Sequence, residues 1–377
     1  MKICIVSLGI VPYYRHDQET LYGGAETQAA FVADALASSG LQVTLVVSSL
    51  TPEASLPHAA ENAFSASDGV PGLRFWHPRL TGILKALQRA AADVYYQRNA
   101  GMVTGLTAMF CRRKGKVFVY GGGSDTDFSF RDVLIPGLRD KALYHLGLKL
   151  AHGIVVQNRS QEERCLRRVK KPVRIIPNGV NLPDGDDSQR KDLILWVGAI
   201  RRVKQPELFL ELARRLPDMR FVLVGGPSGN EKNFAQEIMR AAESLPNLEL
   251  PGHTSHDKLL QYLQRTVVLV NTSRFEGFPN AFLEAWSYGV PVVSTNDVDG
   301  LIEREQLGGI CRDVEGMRAL VSSLAADPQR SRETGDRARS VIAERFSASI
   351  IAGKYRNFFE ELLNEHHARK TPHEPEQ

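Results

Sequence analysis

The chain has 377 residues, of which 43% are hydrophobic and 24% charged, a composition typical of a soluble globular protein. Its length predicts two domains, and no apolar run is long enough to cross a bilayer. The charge is uneven, because residues 1–186 carry 22 Lys and Arg against 16 Asp and Glu (+6), whereas residues 187–377 carry 25 against 27 (−2).

Short runs rich in Val, Ile and Leu alternate with helical stretches along the chain. The opening "KICIVSL" predicts a buried strand rather than a signal peptide, because no small-residue cleavage site follows it. "AETQAAFVADALASSG" then predicts a helix, and the alternation continues to "VRIIPNG". A polar, acidic stretch interrupts it at 181–191, and the pattern begins again at "LILWVGAI". We therefore predict an α/β protein with two Rossmann-like, doubly wound parallel-sheet domains at 1–180 and 192–354.

The last part of the chain is helical in pattern. "FSASIIAGKYRNFFEELL" predicts a C-terminal helix that crosses back to the first domain, over about 355–377. Parallel sheets bind ligands at the carboxyl ends of their strands, so we expect the two domains to face each other across a cleft. The four cysteines lie far apart without metal-ligand spacing, which predicts reduced thiols in a cytoplasmic protein.

The stretch "FEGFPNAFLEAW" is the first candidate site. Pro279 favours a helix start and Gly277 permits close approach of the backbone, so the N–H groups near Phe278, Asn280 and Ala281 predict an anion site at a helix N-terminus. Glu284 is expected one turn inside the helix, where it would bind ribose hydroxyls of a nucleotide. Glu276 precedes the turn and would bind hydroxyls of a transferred sugar. Surface glutamates on an ordinary helix are the alternative interpretation.

"WVGAIRRVKQPE" supplies cations beside that site. The predicted strand ends at Gly198, and Arg201 and Lys204 follow it at the edge where ligands bind. Two fixed cations there would neutralise a diphosphate and stabilise it as a leaving group. A solvated basic loop is the alternative, and Arg202 is expected to point away.

Three further places complete the candidate residues. Gly23 and Gly24 precede a helix and predict a second backbone anion site that faces the cleft, although the spacing fits neither a P-loop nor a dinucleotide fingerprint. His253 follows a strand of the second half, where the backbone of its loop would contact the nucleotide base, while a surface position is the alternative for its side chain. Arg98 ends a strand of the first half, where it would contact the acceptor or have a structural role.

These segments resemble the retaining glycosyltransferases of family 4, which have the GT-B fold. The resemblance covers nearly the whole chain and rests on "GGAE", "PNGV", "VGAIRRVKQPE", "FVLVGG", "LPGH" and "FEGFPNAFLEAWSYGVPVVST". It makes Glu276 and Glu284 the paired glutamates of the family, Lys204 its phosphate-binding lysine and Gly24 its acceptor-side phosphate loop. We count Gly24 among the donor-binding residues. It also implies a nucleoside-diphosphate sugar donor, retention at the anomeric carbon, and no obligatory metal or other cofactor.

The sequence departs from the family in two places. Ala199 occupies a position that is often arginine in the family, and Arg201 is the expected substitute. "VYGGGSDTDFS" lacks the histidine that the family often has near the reacting carbon, and there Ser124 or Asp125 would make the acceptor-side contacts.

The predicted function is transfer of a sugar, a hexose or a related one, to an acceptor hydroxyl in the synthesis of a cell-surface polysaccharide or glycolipid. The acceptor is a saccharide or is lipid-linked. The basic clusters of the first half predict attraction to an anionic membrane surface, at the inner face of the membrane, or to an anionic acceptor, and an ordinary solvated surface is the alternative. A pI near 8.8 without an aromatic stacking motif argues against nucleic acid. A glycoside hydrolase and a non-catalytic two-lobed nucleotide- or sugar-binding protein remain as alternatives.

Overall fold

The computed structural model describes residues 1–15, 23–51, 55–65, 74–129, 133, 135–183, 191–229 and 231–369. The chain folds into two compact units. Unit 1 comprises residues 1–177 and 348–377, and unit 2 comprises residues 178–347. Most of the predicted linker, from 184 to 190, lies outside the described residues.

Unit 1 contains a seven-stranded sheet in the order β3-β2-β1-β4-β5-β6-β7, and every pairing in it is parallel. Its strands are β1 Lys2–Val6, β2 Gln42–Val47, β3 Ala59–Asn62, β4 Val94–Arg98, β5 Val117–Gly121, β6 Gly153–Val156 and β7 Val173–Ile175. The central strands are largely apolar because both faces of the sheet are covered. Strand β3 was not predicted, since "AAEN" carries no alternating apolar pattern.

Helices lie on both faces of this sheet. They are α1 Val11–Tyr14, α2 Gly24–Ser38, α3 Thr81–Ala90, α4 Met102–Lys114, α5 Leu138–Leu150 and α6 Arg159–Leu166. Short helical turns at Phe75–Leu80 and Asp125–Phe128 precede α3 and follow β5. Helices α4 and α5 approach closely through Gly105 and Gly147, where a Cβ atom would lie under 3 Å from the backbone of the other helix.

The C-terminal helix α14, Ala348–Ala368, also belongs to unit 1. It buries Tyr355, Phe358 and Phe359, and the Tyr355 hydroxyl lies 3.1 Å from that of Tyr96 on β4. The chain thus returns to unit 1 at residue 348, earlier than the predicted 355. Only Phe346 and Ser347 separate α14 from the preceding helix. The sequence therefore has no Gly or Pro at the point where the chain returns to unit 1.

Unit 2 contains a six-stranded, all-parallel sheet in the order β10-β9-β8-β11-β12-β13. Its strands are β8 Leu193–Val197, β9 Arg220–Val224, β10 Leu248–Gly252, β11 Thr266–Asn271, β12 Val292–Ser294 and β13 Gly308–Ile310. The sequence prediction of two doubly wound parallel sheets is confirmed. The polarity of both sheets follows from the alternation of strands with crossover helices.

The helices of unit 2 again cover both sheet faces. They are α7 Pro206–Arg215, α8 Lys232–Glu243, α9 His256–Gln264, α10 Asn280–Ser287, α11 Leu301–Arg304, α12 Val314–Ala326 and α13 Pro328–Arg345. Pro206 occupies the first turn of α7, as its sequence predicts. Among the helices that the structure describes, none is long and apolar enough to cross a membrane.

Candidate active site

The loop after β8 is fixed to the carboxyl end of β11. Thr272 follows β11 and donates its hydroxyl to the Lys204 carbonyl at 2.6 Å, while Trp196 Nε1 donates to the same hydroxyl oxygen at 3.0 Å. The Arg274 N–H donates to the Val203 carbonyl at 2.9 Å. These bonds hold the lysine loop against the turn that carries Glu276, at the sheet edge where parallel α/β folds bind ligands.

Lys204 and Glu276 form an ion pair at this edge. The Nζ atom lies 2.5 Å from Glu276 Oε1, and Asn271 Nδ2 donates to the same carboxylate oxygen at 3.2 Å. The Lys204 side chain is 26% exposed and that of Glu276 is 9% exposed. The structure therefore brings together two residues that the sequence separates by 72 positions.

The Gly277–Asn280 turn leads into α10. Pro279 is the N-cap residue and has no side-chain acceptor, so the N-terminal N–H groups of α10 depend on other partners. Asn178 supports the turn, because its Nδ2 donates to the Phe278 carbonyl at 2.7 Å and to Asn280 Oδ1 at 2.8 Å. Phe278 is buried against Phe346, with ring centroids 5.3 Å apart. These contacts anchor the turn, and the positive end of the α10 dipole lies beside it. An anion site at this helix end stays a prediction.

Asn178 is the functional residue that motif reasoning left unassigned, and the turn depends on it. We expect Asn178→Ala to lower the free energy of unfolding by about 1–3 kcal/mol, because it leaves a buried carbonyl unsatisfied. The affinity for a nucleoside diphosphate should fall about tenfold, because part of the binding free energy, about 1.4 kcal/mol, would be spent on ordering the turn. Urea unfolding and calorimetric titration measure the two effects. The exposed Asn233→Ala is the matched control, and equal behaviour of both variants would contradict the assignment.

Glu284 lies in the second turn of α10, with only 13% of its side chain exposed. Burial raises the pKa of its carboxyl to about 7. His256 lies at the start of α9, and its Nδ1 is 3.9 Å from Glu284 Oε1. This carboxyl can therefore accept or donate a hydrogen bond near neutral pH, which suits a pair of sugar hydroxyls.

The two arginines of the lysine loop lie toward α8 rather than α10. Arg201 is 43% exposed, and its Nε lies 3.8 Å from Glu231 Oε1. Arg202 lies over the Phe234 ring at 4.5 Å, in agreement with the expectation that it points away. In this arrangement Lys204 is the cation beside Glu276, and a role for Arg201 at the diphosphate stays a prediction.

The ends of β8 and β9 form a second close approach in unit 2. Gly198 donates its N–H to the Val224 carbonyl, and Ile200 donates to the Gly226 carbonyl. A Cβ atom on Gly225 would lie 1.8 Å from the Gly198 carbonyl oxygen, so only glycine fits there. The exposed His253 lies against Gly226, where a Cβ atom would be 2.4 Å from its Nε2.

The predicted acceptor-side residues meet in unit 1 around a buried carboxylate. Asp127 accepts hydrogen bonds from the Gly123 and Ser124 N–H groups at 2.7 and 3.2 Å and from the Tyr120 hydroxyl at 3.0 Å. Burial raises the pKa of Asp127, whereas these bonds and the charge of Arg98 lower it. Sequence reasoning did not assign this anchor, because its partners are mostly backbone groups.

Ser124 and Asp125 lie on the outer side of the same turn. The Ser124 hydroxyl accepts from the Thr126 N–H, and Ser160 donates to Asp125 Oδ2 at 3.3 Å. Asp125 Oδ1 is buried and has no hydrogen-bond partner among the residues described. Arg98 is only 9% exposed and hydrogen-bonds the hydroxyls of Tyr96 and Tyr355, so it ties α14 to the end of β4.

Gly24 is the first residue of α2, as predicted, and Gly23 is its N-cap. The Glu26 carboxylate accepts from the Gly23 N–H at 3.0 Å. This carboxylate therefore already lies at the helix N-terminus, where a phosphate would compete with it.

Two family models match the chain. "Glycosyltransferase Family 4" matches residues 22–183, and "Glycosyl transferases group 1" matches residues 183–340. One subunit of the human phosphatidylinositol N-acetylglucosaminyltransferase is 32% identical over 162 residues, which are 40% of this chain and 33% of that protein. The alignment thus spans about a third of that relative's length.

Solved structures show the same fold over nearly the whole chain. The sucrose-phosphate synthase of Thermosynechococcus elongatus superposes with a TM-score of 0.72 at 20% identity, over 97% of this chain and 100% of that one. The Anabaena protein HepE, in complex with UDP and glucose, gives a TM-score of 0.72 at 15% identity, over 96% and 99% of the two chains. The two family models adjoin and the GT-B fold is shared, and the chain therefore belongs to the glycosyltransferases of family 4.

Proposed function

We propose that the chain transfers a sugar from a nucleoside-diphosphate sugar to an acceptor hydroxyl, with retention of the anomeric configuration. The single observation that carries this proposal is the Lys204–Glu276 pair beside the N-terminal turn of α10. A partly buried lysine and a helix N-terminus together form a site for a diphosphate. The UDP and glucose named in the HepE structure support a nucleotide-sugar donor.

In this mechanism the protein stabilises the charge that builds on the departing diphosphate. Lys204 would exchange its contact with Glu276 for the diphosphate, and the α10 N–H groups would meet it from the other side. Glu276, held by Asn271, would then accept hydrogen bonds from the sugar. The acceptor hydroxyl attacks from the face that the diphosphate leaves, and its proton passes to a phosphate oxygen. Because these groups supply the positive charge, we propose that no metal ion or other cofactor is required.

The acceptor is proposed to be a saccharide or a lipid-linked saccharide, and the sugar a hexose or a related one, as in assembly of a cell-surface polysaccharide or glycolipid. Attachment to an anionic membrane at its inner face is part of this proposal. The basic excess of residues 1–186 supports it, because cations near a membrane surface attract anionic lipids.

A panel of nucleotide sugars tests the proposal. Release of nucleoside diphosphate is measured for each donor, with and without EDTA, and NMR of the product reports its anomeric configuration. One donor should be consumed in both conditions and give a retained product. Consumption of free glycosides instead would indicate a hydrolase, which would use Glu284 as its acid. Nucleotide binding without turnover would indicate a sensor.

A further inference from the structure

A basic groove occupies one side of unit 1. Its volume is about 1110 Å³, and it lies between α5, α6 and the loop that joins α6 to β7. The lining begins at Phe128 and Ser129, which follow the Ser124 turn at the carboxyl end of β5. It extends to Lys149 and Lys170, which precede β6 and β7. We call this cavity the α5–α6 groove.

Cations lie along the whole α5–α6 groove. Arg164, Arg167 and Arg168 line it from α6 and the residues after it, and Lys170 and Lys171 line it from the loop. Arg112 of α4 and Lys149 of α5 line the opposite side. All of these except Lys171, which is half-buried, are exposed to solvent.

Few acidic residues lie near these cations. Glu365 of α14 lines an adjoining cavity together with Arg112, Lys149, Lys170 and Lys171. None of the described residues that line the α5–α6 groove itself is acidic. Glu163 lies 3.5 Å from Arg167, but both side chains are more than two-thirds exposed, so this pair screens little. Burial, then the charges of Arg168 and Lys141, lower the pKa of His145 on the groove wall. The local potential is therefore strongly positive.

Helix dipoles explain only part of the arrangement. A cation in the last turn of α4, α5 or α6 complements the negative end of the helix, which accounts for Arg112, Lys149 and Arg164. Lys170 and Lys171 lie beyond the last turn of α6, near the start of β7. An accumulation of seven cations in one concave surface exceeds what three helix ends require.

We propose that the α5–α6 groove binds an extended anionic carbohydrate chain, the part of the acceptor that lies beyond the hydroxyl to be glycosylated. This rests on the proposed glycosyl transfer. The groove is concave, which suits a polymer better than a flat lipid surface. Leu148, Leu150 and Val169 line it between the cations, as the apolar faces of sugar rings require. Apart from His145, its only aromatic residue among those described is Phe128, which is buried, so base stacking is disfavoured.

The groove also begins where an acceptor would be held. Ser129 follows the turn that carries Ser124 and Asp125, the predicted acceptor-side residues. A chain that entered the groove at Ser129 would pass Arg164 and Arg168 and end near Lys170. Its carboxylate, phosphate or sulfate groups would contact a cation at successive positions, which raises affinity through several weak ion pairs rather than one strong pair.

Binding of a fluorescein-labelled heparin hexasaccharide to the full chain tests the groove without any turnover. The groove variant, Arg167→Glu/Arg168→Glu/Lys170→Glu, reverses three charges. A second groove variant, Lys149→Gln/Lys170→Gln/Lys171→Gln, neutralises three charges without reversing them. The control Arg330→Glu/Arg332→Glu/Arg337→Glu makes the same change in net charge as the groove variant, on exposed positions of α13. We expect both groove variants to bind at least about tenfold more weakly, the control within about twofold, and wild-type affinity to fall steeply with added salt.

Equal binding by the groove variant and the wild type would overturn the proposal, as would absence of binding at low salt. Maltohexaose that competes as well as unlabelled hexasaccharide would also overturn it, because charge would then be irrelevant. Anionic phosphatidylglycerol vesicles that bind in preference to the hexasaccharide, and only through the groove, would identify a membrane-docking surface instead. Titration of the same variants with nucleotides separates the groove proposal from the proposed glycosyl transfer. The proposed nucleotide site lies in unit 2, so the groove variants should keep nucleotide binding even where they lose the hexasaccharide.

Discussion

The variant Lys204→Met is expected to lower kcat/KM for nucleoside-diphosphate release by about 10²–10³-fold, the usual cost of removing one group that stabilises developing negative charge. Methionine nearly keeps the length of the side chain and removes its charge. Steady-state assays with the donor found in the panel measure the effect. The decrease should appear mainly in kcat, since charge on the diphosphate grows as the bond breaks.

The matched control is Arg202→Met, which removes a cation from the same loop that lies over Phe234 and away from α10. It should retain activity within about threefold, an effect below about 1 kcal/mol. Because Lys204→Met leaves the Glu276 carboxylate without its cation, Lys204→Met/Glu276→Gln should recover stability but not activity. A Lys204→Met enzyme within a few fold of wild type would show that the diphosphate is bound elsewhere.

The second large effect concerns stability and pH. We expect Glu284→Gln to stabilise the ligand-free chain by about 3 kcal/mol at pH 8, and by less than about 1 kcal/mol at pH 5. The carboxyl has a pKa of about 7 in the folded state against a usual 4.5. The folded state thus binds an extra proton between these two pH values, so stability decreases as pH rises from about 4.5 to about 7 and stays low above pH 7. Glutamine removes this loss because it is never charged.

Thermal or urea unfolding at several pH values measures this difference. The exposed Glu237→Gln on α8 is the control and should show no pH-dependent gain. The same Glu284→Gln variant should bind nucleotide more weakly, because it loses the carboxylate that we predict to bind the ribose. A stability gain that is equal at pH 5 and pH 8 would mean that ionisation of Glu284 is not its cause.

The sequence predicted the architecture because both sheets are parallel and buried. Their strands are continuous apolar runs separated by amphipathic helices, and this pattern appears twice. The start of α10 after Gly-Phe-Pro and the position of Lys204 after β8 were also predicted from the sequence, because each depends on local turn residues. The family resemblance added that Glu276 and Glu284 correspond to the paired glutamates of the family, which their spacing alone did not indicate.

Contacts between distant parts of the chain could not be predicted in the same way. Asn178 supports Phe278 from 100 residues away, and Tyr355 reaches Tyr96 across 259 residues. No local pattern encodes such pairs, because each side chain is compatible with many environments. The pairing of Arg201 with Glu231 also depends on how the loop turns after β8, which the charge pattern does not determine.

The most direct test compares nucleoside diphosphate with nucleoside monophosphate in calorimetric titrations of wild type and Lys204→Met. The wild type should favour the diphosphate by at least about tenfold, or about 1.4 kcal/mol, because we propose that the second phosphate binds beside Lys204 and the α10 N-terminus. Lys204→Met should lose most of this preference while monophosphate affinity changes little. A preference for the diphosphate that is the same in both proteins would contradict the account.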